Sequence, residues 1–116
     1  MKTFMAVYTG SIAARERSGR DEASEADRNA RVEKGLKAWQ DWGEKHKASI
    51  VEAGGPLGTT KRAGPNGVTD IKNNLAGWIV VRAESHEAAA KMFEGHPHFT
   101  IFPGEAVEIM EVLPIP

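Results

Sequence analysis

Two histidines stand either side of a proline late in the chain, in the run Gly95-His96-Pro97-His98-Phe99. Imidazole titrates near neutral pH and is the commonest general acid or base in proteins. His98 is therefore the candidate acid/base, with His96 and Asp70 as candidate partners that orient it or share its proton. Tyr8, Trp39, Trp78 and Phe99 are the candidates for an aromatic wall around a bound substrate. The same residues also read as a polar loop turned by proline with both rings in water, since no spacing fixes a partner for His98.

Other chemistries find less support. A His-x-His pair presents two nitrogens to a metal, but a third ligand such as Asp70 or Glu105 is needed, and no HExxH-type spacing occurs. No metal or organic cofactor is therefore expected. The segment GGPLGTTK lacks phosphate-loop spacing, and no GxGxxG opens a helix. Cysteine is absent, which removes disulfides, thiolate sites and cysteine nucleophiles together.

The 116 residues carry a formal charge of −1, which gives no general attraction to nucleic acid or anionic membranes. No apolar run approaches the roughly 18 residues of a membrane span, and the short N-terminal run is too brief for a signal segment. A single domain spanning residues 1–116, in the cytoplasm, is the expectation.

Several elements must position the candidates. Thr3–Tyr8 reads as a buried strand. Ser11–Asn29 is rich in charge and reads as a mobile or partly helical connection. From Ala30 to Ala53, Val32, Leu36, Trp39, Gly43, His46 and Ile50 fall on one helical stripe, and Gly54-Gly55-Pro56 reads as the helix stop. Leu57–Arg62 and Val68–Lys72 flank a Gly-Pro-Asn-Gly turn. Trp78–Val81 is a strand, Ser85 caps a helix running to Glu94, and Glu105–Leu113 is the last strand. This order predicts an α+β, ferredoxin-like split βαβ: an antiparallel sheet with two helices on one face.

Two helices cover one face only, yet the first and the Trp78–Val81 strands look apolar on both. A homodimer that covers the open face is expected, as in a dimeric α/β barrel, unless Ser11–Asn29 folds over it instead.

The chain resembles the YCII-related family of dimeric α/β-barrel proteins, in its DGPF-type branch. The resemblance rests on FMAVYTG, on the helix with Trp39 and Trp42 leading into EAGGPLG, on GVTD followed by LAGWIVVRAES, and on GHPHFTIFPGEAVEIMEVLPI. It implies a ferredoxin-like dimer with a cleft between the first long helix, the sheet and the 95–104 loop. It implies no acid/base pair here: the family's helix histidine is missing beside Lys34 and Lys37, and its D-P slot reads His96-Pro97. Three functions remain: a small-molecule enzyme without organic cofactor, a non-catalytic metabolite-binding or accessory dimer, and a purely structural dimer with a vestigial pocket.

Overall fold

The computed structural model describes residues 1–116. Strand β1 (Lys2–Thr9) runs through the middle of a four-stranded sheet, where Thr, Phe, Val and Tyr suit a pleated, half-buried surface. Around it stand β2 (Ile50–Pro56), β5 (Leu75–Ala83) and β6 (Ala106–Glu111), in the order β2-β5-β1-β6. All pairings are antiparallel. This is the ferredoxin-like order, because each helix-bearing crossover returns to a strand one place removed from the last.

Two helices lie between β1 and β2. Ser11 caps α1 (Ile12–Ser18) by accepting from Ala14 N–H, and Gly19 closes it in the left-handed region at φ 70°. Ser24 caps α2 (Glu25–Lys45) by accepting from Asp27 N–H, with Glu25 and Asp27 in its first turn and Lys45 in its last. The segment 11–29 thus contains α1 and the start of α2.

The long helix is shifted from the expected Ala30–Ala53. It begins earlier because the Ser24 cap and the two acids satisfy and stabilise its free N–H groups. It ends earlier because Ile50, Val51 and Glu52 join the sheet, Ile50 opposite Val81 and Glu52 opposite Val80. Gly54-Gly55-Pro56 is accordingly not a helix stop but the irregular outer end of β2. Gly54 has φ +64°, and a Cβ there would overlap the Trp78 carbonyl. The buried side of α2 also differs from the expected stripe. Gly35 and Trp42 are buried and Trp39 half-buried, while Val32 and Leu36 face outward. Gly35 decides this, because only the absent side chain leaves room for the Phe102 ring against the helix.

Strands β3 (Thr60–Gly64) and β4 (Gly67–Ile71) pair around Pro65-Asn66 as a separate two-stranded sheet. Ser85 caps α3 (His86–Lys91) through Ala88 N–H, as its position suggested, and a turn at Gly95 leads into a short α4 (Pro97–Thr100). His86 Nε2–H donates to the Ile109 carbonyl at 2.7 Å and ties α3 to β6.

Phe4, Ala6, Tyr8, Ile79, Val81 and Ala83 form one face of the sheet and are buried under Trp42, Ala89 and Phe93 from the helical layer. The opposite face carries Met5, Val7, Trp78 and Val80 half-buried and Met110 at 43% exposure. Residues 14–18 lie beside α2 and the 99–105 loop, around a depression of their own.

Candidate functional site

Helix α4 begins with an unusual cap that sets the roles of the two histidines. His96 stands at its N-cap and accepts from the His98 backbone N–H through Nδ1 at 3.0 Å. Pro97 fills the first helical position, where a missing N–H costs nothing. The His96 ring is completely buried among Tyr8, Trp39, Trp42 and Phe93, with ring centroids 4.5–5.8 Å away. Burial, aided by His98 and then His46, lowers its pKa to about 4. His96 is therefore neutral at physiological pH, with its proton on Nε2, a buried nitrogen without a hydrogen-bond partner. This is a structural histidine: it stays uncharged and fixes the start of α4.

His98 is held differently. Its Nε2 lies 2.7 Å from the Thr9 carbonyl oxygen, so that nitrogen carries the proton and donates it. The same carbonyl accepts Glu105 N–H at 2.9 Å, and the His98 carbonyl accepts Gly104 N–H at 2.9 Å. Gly104 lies flat against the imidazole, where a Cβ would overlap the ring. These contacts fix ring and tautomer together. Nδ1 is left with a free lone pair and without a partner in the protein.

His98 borders a cavity of about 270 Å³ whose other walls include Tyr8, Trp39, Trp78, Gly55, Pro56 and Gly77. Tyr8 stacks edge-on to His98 at 5.2 Å and tilts against Trp39 at 5.1 Å. Its register partner on β5 is Gly77, and a Cβ there would come within 3.2 Å of the Tyr8 ring and of the Gly55 carbonyl. The cavity exists because β5 and β2 present glycine where the aromatic rings overhang the sheet. Burial pushes the Tyr8 phenol well above its usual pKa, so it stays protonated, and its hydroxyl has no partner.

Four of the residues singled out in the sequence, Tyr8, Trp39, Trp78 and His98, thus meet around one cavity, with His96 behind its aromatic wall. Phe99, 37% exposed, does not join them and lines two other depressions. Asp70 does not meet His98 within this chain. It sits on β4 opposite Lys61, which it pairs at 2.6 Å in solvent, because β3 and β4 form their own sheet instead of extending the main one. No three His, Asp or Glu side chains converge as a metal site would need.

Sequence reasoning missed Thr9 and Gly104. Thr9 looked like the end of a strand, and its contribution is a main-chain carbonyl that no side-chain pattern reports. Gly104 contributes by lacking a side chain beside the His98 ring, which no local pattern reports.

No protein-family model matches the chain, and no curated protein does. Among solved structures, the chain is similar to the 5-chloro-2-hydroxyhydroquinone dehydrochlorinase TftG from Burkholderia phenoliruptrix AC1100, in complex with 2,5-dihydroxybenzoquinone. The two share 20% identity over 93% of this chain and 90% of that one, with a TM-score of 0.52. The chain has the fold of that enzyme. At this identity the likeness concerns the path of the backbone and leaves the chemistry to the residues themselves.

Proposed function

We propose that the chain is a small-molecule enzyme without organic cofactor, acting on a compact planar ring that carries an ionisable hydroxyl. The observation that carries this reading is His98 in the wall of an aromatic cavity, with Nε2–H pinned to the Thr9 carbonyl and Nδ1 bonded to no protein group. His98 would take the hydroxyl proton on Nδ1, and the Thr9 carbonyl would stabilise the imidazolium that forms. Tyr8 and Trp39 would hold the ring by offset or edge-on stacking. A cavity of about 150 Å³ suffices for benzene, so 270 Å³ suits a substituted single ring. The 2,5-dihydroxybenzoquinone bound by TftG belongs to this class of molecule.

Membership of the YCII-related family, a homodimer closed over the open sheet face, and a single domain over residues 1–116 go with this proposal. A second reading, a non-catalytic binding module, gains from one specific observation: no carboxylate touches His98 to share its proton.

Calorimetric titration with 2,5-dihydroxybenzoquinone, followed by assays of hydroxylated and halogenated quinols, separates the readings. Catalysis by His98 predicts that His98→Gln keeps binding within a few-fold and loses turnover about 100-fold or more. Binding without turnover by the unaltered protein selects the binding module. Absence of binding by any compact hydroxylated ring, with Trp39→Ala no different from the unaltered protein, removes both uses of the cavity.

A further inference from the structure

On the far side of the 99–105 loop, α1, α2 and that loop enclose a second depression of about 540 Å³. Three cationic side chains, Arg17, Arg31 and Lys34, line it. Arg31 and Lys34 are three residues apart and share a face of α2. None of the three has an acidic partner within 4 Å, so nothing in the chain neutralises their charge at the depression. Three like charges around one concavity repel one another, and an anion placed among them relieves the repulsion.

Arg31 is also set in place. Its Nη1 donates to the Ser18 carbonyl at 2.8 Å, which ties α2 to the end of α1 and leaves the rest of the guanidinium fork unengaged. The acidic group on the rim, Glu105, accepts from the Thr9 hydroxyl at 3.5 Å and makes no ion pair with the three cations. Phe99, Ile101 and Phe102 give the depression an apolar side.

From this geometry we infer a binding site for a phosphorylated small molecule, its phosphate among Arg17, Arg31 and Lys34 and its carbon skeleton against Phe99 and Phe102. Three cations match a phosphate dianion better than a single carboxylate, and an arginine fork fits phosphate oxygens two at a time. The contact of His98 with Gly104 lies between this depression and the aromatic cavity, so the two sites are distinct and the inference does not rest on the proposed catalysis.

The test is an amide-resolved NMR titration of the full chain with inorganic phosphate and pyrophosphate at physiological salt. The expected result is saturable shifts at residues 14–18, 31–35 and 99–105. Arg31→Gln with Lys34→Gln should weaken pyrophosphate about tenfold or more. Lys45→Gln with Lys47→Gln, which removes the same charge elsewhere, should leave affinity unchanged. Shifts that never saturate, or equal losses in both double variants, overturn the site. Binding to phosphatidylserine vesicles without binding of soluble phosphates overturns it in favour of a lipid surface.

Discussion

His96 and His98 are two residues apart and carry the same side chain, yet their surroundings hold them in opposite ways. His98 has one nitrogen fixed on the Thr9 carbonyl and one without a protein partner, as the proposed acid/base role needs. His96 has an acceptor in use and a proton that burial prevents from being joined by a second. The consequence for stability has a definite sign. An unfolded imidazole titrates near ~6.5, and the folded His96 near 4. Between these values the unfolded chain binds a proton that the native chain does not. The contribution of neutral His96 is therefore complete above about pH 6.5 and is lost as pH falls toward 4, with a slope of at most about 1.4 kcal/mol per pH unit. Urea denaturation between these pH values should show that slope reduced by about one proton in His96→Asn, which keeps a cap acceptor without the titration. An NMR titration should find the His96 ring signals flat down to about pH 5. A His96 that titrates as a free imidazole would contradict the buried cap.

At the scale of the elements, glycines determine where strands and helices can approach. Gly35 admits Phe102 to the face of α2, Gly77 leaves space beneath Tyr8, and Gly104 lies against His98. Gly54 combines a positive φ with a backbone carbonyl in the way of any side chain. Gly54→Ala should cost about 2 kcal/mol or more, because αL strain adds to the displacement of β2 from β5. Gly43 is the contrast. It lies within α2 with open space where its Cβ would be, so Gly43→Ala should stabilise the protein by roughly 0.5–1 kcal/mol. Thermal and urea denaturation of the two variants should move in opposite directions. A Gly54→Ala variant as stable as the unaltered protein would show that the Gly54 conformation is not required.

For the whole molecule, the open sheet face is the ground for the proposed homodimer. Phe4, Ala6 and Tyr8 alternate with Met5 and Val7, and only the first set lies under helices. Met5, Val7, Trp78 and Val80 are left around a half-exposed apolar surface, which a second copy related by a two-fold axis can cover. Light scattering should give twice the 12.6 kDa chain mass at micromolar concentration. Val80→Lys should return the chain to a monomer, since it places a charge in the middle of that face. A monomeric unaltered protein would leave the face to another partner and remove the homodimer from the proposal.

The amino-acid order alone determined the fold class. Apolar runs at Thr3–Tyr8 and Trp78–Val81, the Ser85 cap and the turn at Pro65-Asn66 are local signals, and together they leave few topologies. It also marked the aromatic residues and His98, because those side chains are uncommon enough to stand out. Tertiary structure decided what local pattern does not contain. Ile50–Pro56 became a strand because β5 offered a pairing edge, although the helical period ran through Ile50. Asp70 went to Lys61 and not to His98, because the hairpin forms a sheet of its own. His96 became structural, and His98 gained a fixed tautomer, through burial and through the Thr9 carbonyl 89 residues away in sequence. Burial and main-chain partners depend on distant segments meeting, and no spacing along the chain reports them.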